Sequence, residues 1–573
     1  MRRERLRFLY GRARGDDAAD GLQRLLDRYR PRLPRRPARS FDERSMLLIT
    51  YGDTFLDPGR RPLRALARFA ARHLTGLVSG VHVLPFFPSS SDYGFSVIDY
   101  ERVDPSLGTW ADVGALHDRF ELMVDFVLNH VSAESAWFAG FRRGSPRYRR
   151  FFVTADPAAD LSGVTRPRTS PLLTRVETST GERWVWTTFS ADQIDLDYAE
   201  PAVLLRMVEV MLRYVERGAD LLRLDAVGYL WKELGTPCIH LPQTHEIVKL
   251  LREVLEDVAP HVALVTETNV PHADNVAYFG DGHDEAQMVY QFPLAPLVLD
   301  AFRRADGTRL ARWASGLATP SSQTAFFNFL ASHDGIGVVP ARGLLPDADL
   351  DALVRRTRAH GGEVSARANP DGSESPYELN VTFFDALSDP HDRREPWRVK
   401  RDRFLCAQAI MLALAGVPGI YVHSLFGSHN DHAGYERSGW KRDLNHARLP
   451  VAALEAELAD PTSEKAQVFA GMRALLAARR HHPAFHPAAP QEVFCTDGPV
   501  LALRRGPRNG RGVVALHNLD AAPHIVDLAR LGLAPHRHRD LVRREDVAHG
   551  ELRLGGYEVR WLDVAAAERR LRE

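Results

Sequence analysis

The chain has 573 residues, balances 74 Lys and Arg against 74 Asp and Glu, and is 45% hydrophobic and 26% charged. Those proportions exclude a largely disordered chain, and zero net charge argues against a polyanion-binding protein. Three cysteines, Cys238, Cys406 and Cys495, are odd in number and far apart, so neither a disulfide framework nor a cysteine-based zinc site follows.

The first 14 residues are basic but lack the apolar core of a signal peptide, and Asp16, Asp17 and Asp20 spoil a transit-peptide reading. Leu22, Leu25, Leu26 and Tyr29 recur at helical spacing and predict a helical extension over residues 1–44, ended by Pro31, Pro34 and Pro37. Short apolar runs then alternate with amphipathic segments. Strands are expected at 46–50, 81–86, 121–128, 220–225, 263–266, 288–292, 324–329 and 419–422, with helical patterns such as 62–77, 201–217, 244–258 and 401–415 between them. Eight such units predict an α/β fold, a (β/α)8 TIM barrel over residues 45–486.

Two intervals break the rhythm. Residues about 131–196, which hold Arg166-Pro167-Arg168, are too long for a plain connection and predict a subdomain inserted after the third strand. Residues about 335–396 are rich in Gly, Pro, Asp and Arg and predict mobile loops beside the same barrel mouth. From 487 to 573 the pattern turns to short alternating runs and predicts a C-terminal β-domain. The longest apolar run, 409–422, is 14 residues broken by Gly416, Pro418 and Gly419, against about 20 for a membrane span. A cytoplasmic protein is expected, a monomer or homodimer with neither a membrane nor a nucleic-acid partner.

Chemistry in such a barrel sits at the C-terminal ends of the strands. Those ends carry Asp225 after the fourth, Glu267 after the fifth and Asp334 after the seventh, with Arg223, Thr266 and His333 beside them. Asn129-His130 ends the third, and Asp92-Tyr93-Gly94-Phe95 follows the second. A single acid at a strand end is more often a cap or an ion-pair partner. Three converging on one mouth repel one another and are hard to explain as caps, and glycosidic bond cleavage uses such a group. Asn129 offers one oxygen donor where a calcium site needs about 6–8, and the histidine pairs 481–482 and 536/538 lack carboxylate spacing. No metal and no cofactor are expected.

Four segments carry a family resemblance: Val124-Asp125-Phe126-Val127-Leu128-Asn129-His130, Leu222-Arg223-Leu224-Asp225-Ala226-Val227, Val265-Thr266-Glu267 and Ala331-Ser332-His333-Asp334. On them the chain, over roughly residues 45–565, resembles the alpha-amylase-type glycoside hydrolase family. The resemblance implies Asp225 as nucleophile, Glu267 as general acid/base and Asp334 as a carboxylate that binds sugar hydroxyls and stabilises the transition state. It also implies that Arg223, His130 and His333 hold a glucosyl ring. Physically, Arg223 is expected to keep Asp225 ionised, while a carboxyl crowded by acids, Glu267, keeps its proton. Retention calls for carboxyls about 5–5.5 Å apart.

Within that family, residues 79–87, 223–236, His333-Asp334-Gly335-Ile336-Gly337 and Arg442-Asp443-Leu444-Asn445 resemble the sucrose phosphorylase branch, which transfers glucose to orthophosphate. That likeness implies that Asp92 and Arg442 pin the distal hydroxyls of glucose, with Phe95 in the same substrate-binding set. It implies that Arg168 reaches phosphate and that Tyr377 lies on a loop that moves between the two steps. Glu378 stands where a Gln is expected, Leu230-Trp231 precede Lys232, and residues 427–441 differ. These departures resemble the related glucosylglycerate phosphorylases. The implied activity is retaining phosphorolysis of 2-O-α-glucosylglycerate through a glucosyl-Asp intermediate, with orthophosphate as co-substrate. A sucrose phosphorylase, a glucosidase or transglucosidase, and a non-catalytic sugar-binding barrel are the alternatives. Lys232, Lys441, and His429 or His432 are candidate partners for the glycerate carboxylate, and Trp231 is a candidate wall of the acceptor pocket. Glu378 would repel that anion unless it accepts from glycerate hydroxyls or orients a cation.

Overall fold

The structure is a computed structural model and describes residues 1–369, 371–494, 498–508 and 510–564. At its centre lies a closed barrel of eight parallel strands. In chain order they are Leu47–Thr50, Gly80–Val83, Glu121–Val127, Leu221–Asp225, Ala263–Thr266, Met288–Tyr290, Ala325–Asn328 and Val417–Tyr421. The first pairs with the eighth, Leu47 opposite Gly419, which closes the ring. Nearly every strand residue is buried, as a parallel sheet sheathed by helices requires. All eight expected strands are present. The second was expected to run to Phe86 but stops pairing at Val83, just before Pro85, which has no N–H to donate; Leu84 and Phe86 stay buried all the same.

The N-terminal segment forms two helices, Arg2–Tyr10 and Arg12–Tyr29, joined at Gly11, whose φ of 75° turns the chain. They cross so closely at Gly15 that a side chain there would meet the Arg7 backbone at 2.6 Å. Leu22, Leu25, Leu26 and Tyr29 are buried and seat the pair on the barrel helices Pro201–Glu216 and Pro242–Val258. Leu26→Ala is expected to cost about 2–5 kcal/mol, read as a lower midpoint in chemical denaturation.

After the third barrel strand the insertion carries an antiparallel hairpin, Leu173–Thr178 with Gly181–Trp186, and a short pairing of His130–Ser132 with Gln193–Asp195. The interval 335–396 differs from its expectation as loops. It holds a three-stranded sheet of Ile336–Gly337, Glu363–Ala368 and Glu374–Asn380, and the helices Asp347–Ala359 and Phe383–Leu387. Its short strands were hidden by a polar, glycine-rich composition, because pairing rather than apolar alternation holds them. The C-terminal region is strand-rich, built on a sheet of Gln491–Phe494, Val500–Arg505, Gly512–Asn518 and Val559–Val564.

Two buried arginines, one on the last barrel helix and one on the C-terminal sheet, meet at the seam between that region and the barrel. Arg479 donates to Leu412 O (2.5 Å) and Arg505 to Ala413 O (2.9 Å), so both satisfy carbonyls at the C-terminus of helix Trp397–Ala413, where the helix dipole favours a cation. Cys238 and Cys406 are free and buried; Cys495 lies outside the described residues. No described helix is long and apolar enough to cross a membrane.

Candidate active site

The C-terminal ends of the barrel strands open into a narrow cavity lined by charged and aromatic side chains. Asp225, Glu267 and Asp334 line it together. Asp92, Phe95, His130, Arg223, His333 and Arg442 line it as well, and so do Arg168, Tyr377 and Glu378.

Arg223 organises the acids. Its buried guanidinium donates from Nη1 to Asp125 Oδ1 (2.5 Å) and to Asp225 Oδ1 (2.8 Å), and Nη2 lies 3.7 Å from Glu267 Oε2. Behind it, His82 Nε2 sits 2.7 Å from Asp125 Oδ2. The strand register sets this up: Arg223 and Asp225 are two apart on the fourth strand and so share a face, while Glu267 is the first residue past the fifth. Ala226 then takes a left-handed φ of 51°, a strain of about 1–3 kcal/mol that functional sites tolerate. That turn points its N–H at Glu267 Oε2, 3.4 Å away.

Burial pushes Glu267 up to about 8, against Arg223, and the nearby Asp225 and Asp334 push the same way. Glu267 therefore keeps its proton at neutral pH. Burial also raises Asp225, with Arg223 and His130 opposing. The expectation that Arg223 holds Asp225 ionised is corrected to this extent, since the guanidinium is shared with Asp125 and Glu267 and desolvation outweighs it. The asymmetry persists in the contacts: Asp225 has the direct ion pair and Glu267 the longer approach.

Asp334 goes the other way. Burial would raise it, but Arg442 Nη2 at 2.8 Å, helped by His333 and Arg223, holds it well below the usual carboxylate range. Burial drives His333 down to about 3, so the ring is neutral; it stacks on Phe95 at 5.0 Å and 9°. Arg442 also donates from Nη2 to both oxygens of Glu378, each at 3.2 Å, and its Nη1 lies 3.8 Å from Asp92 Oδ1. Glu378 is thus an ion-paired carboxylate that shares its cation with Asp334 and Asp92.

Arg168 is different from these arginines. Its guanidinium carbon lies 5.4 Å from the ring centre of Tyr377 and 5.9 Å from that of Phe189, and it makes no hydrogen bond or ion pair among the described residues. Its neighbour Arg166 donates to Ser170 O instead.

Several expected acceptor groups are elsewhere. Lys232 is nearly buried, with Nζ 2.7 Å from Asn129 Oδ1 and 2.6 Å from Asp195 Oδ2, so its charge is consumed behind His130. That ammonium also meets the Asn129 oxygen at which calcium was considered. Lys441 Nζ donates to Val364 O (2.7 Å) outside the cavity. His429 Nδ1 is bound 2.6 Å from Asp385 Oδ1, His432 lies against Gly361, and Trp231 faces Tyr10 of the N-terminal helices at 6.4 Å. Each is adjacent in sequence to the barrel mouth, yet each meets a distant segment instead.

The cavity holds residues that sequence reasoning missed, among them Phe189, Gln193, Tyr229, His240 and Asn269. Gln193 Nε2 donates to Asp92 Oδ2 (3.0 Å) and lies 3.2 Å from His130 Nε2. Only Tyr229, four residues past Asp225, and Asn269, two past Glu267, carried a signal in their spacing. Among the described residues no group of three His, Cys, Asp or Glu side chains is placed to hold a metal ion.

Residues 74–336 match the family model of the alpha-amylase catalytic domain. The chain is 52% identical over 530 residues to the glucosylglycerate phosphorylase of Allomeiothermus silvanus, covering 92% of this chain and 94% of that protein. It is 48% identical to the glucosylglycerate phosphorylase of Spirochaeta thermophila over 98% of both chains. It is 32% identical to the sucrose phosphorylase of Agrobacterium vitis over 77% of this chain and 89% of the other. The fold is shared with the crystal structure of sucrose 6F-phosphate phosphorylase from Thermoanaerobacter thermosaccharolyticum, at a TM-score of 0.72 and 24% identity over 84% of this chain and 95% of that one. The chain belongs to the alpha-amylase family, in the branch that holds the glucosylglycerate and sucrose phosphorylases.

Proposed function

We propose that the protein is a retaining α-glucoside phosphorylase that transfers glucose from 2-O-α-glucosylglycerate to orthophosphate. The observation that carries the reading is one cavity holding both the Asp225 and Glu267 carboxyl pair on Arg223 and, beside it, the Arg168 guanidinium, which makes no hydrogen bond or ion pair among the described residues. A planar guanidinium of that kind suits a phosphate bidentately. The similarity to glucosylglycerate phosphorylases along nearly the whole chain supports glycerate as the aglycone.

In the first step Asp225 attacks the anomeric carbon while Glu267 gives its proton to the glycosidic oxygen. The bond to glycerate breaks and the sugar is left on Asp225. Orthophosphate, held by Arg168, then attacks the same carbon; Asp225 departs as carboxylate, Glu267 takes back a proton, and α-glucose 1-phosphate forms with retention. Asp334, kept ionised by Arg442, faces the positive charge that develops on the ring. Asp92 and Arg442 on one side, and His130 and His333 on the other, hold the sugar hydroxyls. Phosphate and glycerate are both anions that use the acceptor region in turn, so the Arg168 guanidinium serves both, while Arg442, shared with Asp334, offsets part of the charge of Glu378. The reading needs no cofactor.

Incubation with α-glucose 1-phosphate and a panel of glycerate, glycerol, fructose and fructose 6-phosphate tests it, with phosphate release as readout. Glycerate is expected to be the fastest acceptor; release without any acceptor at an equal rate would make the protein a hydrolase. Arg168→Ala is expected to raise KM for phosphate at least tenfold and to shift product from α-glucose 1-phosphate toward free glucose, both measurable by chromatography. The pH profile follows from Glu267. Its proton must be present for the first step, so kcat/KM on glucosylglycerate is expected to fall as pH rises through about 8. A profile flat from pH 6 to pH 10 would remove Glu267 from the acid role.

A further inference from the structure

One nitrogen at the cavity wall is left without a partner. His240 lines the cavity that holds Glu267 and Arg168, and its Nε2 is buried with no hydrogen-bond partner among the described residues. Its backbone is left-handed, φ 55°, an unusual conformation for a residue other than glycine. The ring is held in place from three directions. His240 N donates to Gly228 O at 2.9 Å. The imidazole lies against Gly228, where a side chain would come within 3.0 Å of Cε1. On its other edge Nδ1 is 2.8 Å from Tyr278 Oη.

That last contact favours one tautomer. Tyr278 is fully buried, and His240 is the one hydrogen-bond partner of its hydroxyl among the described residues. A phenol proton with a single available acceptor goes to it, so Nδ1 accepts and the proton of the neutral ring sits on Nε2. Burial, which drives His240 down to about 4, keeps the ring neutral. His240 therefore brings a directed N–H donor and no charge. The wall continues from it toward the anion site: Tyr229, next to Gly228, meets Phe189 edge-on at 5.5 Å, and Arg168 lies over Phe189. Asn269 Oδ1, packed against Gly337 and likewise buried without a hydrogen-bond partner among the described residues, adds an acceptor for a hydroxyl.

We propose that His240 is a specificity-determining residue whose Nε2–H donates to the carboxylate of the departing or incoming glycerate, selecting an anionic three-carbon aglycone over a neutral one of equal size. This rests on the phosphorolytic reading above. A site built to hydrogen-bond a group discriminates strongly against the analogue lacking it, because its own polar atom is then left buried and unpaired.

The test uses the full chain in the synthetic direction, with α-glucose 1-phosphate and either glycerate or glycerol. In His240→Met the ratio of kcat/KM for glycerate over glycerol is expected to fall at least tenfold, and His240→Gln, which restores an N–H, is expected to recover most of that ratio. Turnover of α-glucosyl fluoride in the same preparations reads the glucosyl half-reaction without a glycerate. A ratio in His240→Met within twofold of the parent would overturn the proposal, and so would an equal loss with glycerate, glycerol and the fluoride, which marks a merely structural residue. Failure of the parent protein itself to use glycerate would instead overturn the phosphorylase reading.

Discussion

Asp225→Asn is expected to lower phosphorolysis by roughly 10⁴-fold or more, the scale on which removal of a single nucleophile acts, and to leave no sugar attached to the protein. Asn keeps the shape of the side chain and can still accept from Arg223 Nη1, so the 2.8 Å contact and the packing around Ala226 need not change. What it lacks is the negative oxygen that bonds to the anomeric carbon. A slow 5-fluoro-glucosyl fluoride added to the parent protein is expected to increase its mass by one fluoroglucosyl group, located on the peptide that spans Asp225. The Asn variant is expected to show no increase. An adduct that persists in the variant would assign the nucleophile to another residue.

Glu267→Gln removes the proton rather than the attacking oxygen, and its effect depends on the leaving group. Glycerate leaves poorly without protonation, so the loss on glucosylglycerate is expected to be about 10²–10⁴-fold. Fluoride needs little protonation, and its loss is expected to be far smaller. Equal losses with both donors would place Glu267 in binding or folding instead. The physical basis is the site of the proton: the carboxyl is buried, lies 3.7 Å from a guanidinium that other acids already occupy, and shares the cavity with four further acids, of which Asp225 and Asp334 act on it most.

The barrel was legible in the sequence because burial on both faces makes its strands continuous apolar runs, each followed by an amphipathic helix. The end of each strand then locates its own chemistry, which is why Asp225, Glu267 and Asp334 meet where the alternation placed them. The acceptor side was far less legible. Lys232 and Lys441 are cations next to the right segments, yet one is absorbed by Asn129 and Asp195 and the other by Val364 O. A charge in a sequence does not disclose its partner, and these partners come from 37 and 77 residues away at the least. His240 was invisible for a different reason. Its place depends on a left-handed backbone angle and on Tyr278, a residue 38 positions on. Glu378 shows the same limit in reverse: as a lone letter it argues against an anionic substrate, and its ion pair with Arg442, 64 residues away, weakens the objection.

The N-terminal helices also acquire a role in the architecture that periodicity alone did not give them. Tyr10 Oη donates to Tyr198 O at 3.1 Å and its ring meets Trp231, so this segment packs behind the chain between Asp225 and His240. Trp231, expected to narrow the acceptor pocket, instead anchors that chain from outside.

The most direct measurement compares initial rates of phosphorolysis on 2-O-α-glucosylglycerate, glucosylglycerol and sucrose at equal concentration and saturating orthophosphate, with α-glucose 1-phosphate as product. Glucosylglycerate is expected to lead both others by at least tenfold, because Arg168 and the Nε2–H of His240 are left unsatisfied by a neutral aglycone. Sucrose leading by tenfold or more would contradict the assignment of glycerate and leave only a retaining α-glucoside-acting barrel of the alpha-amylase family.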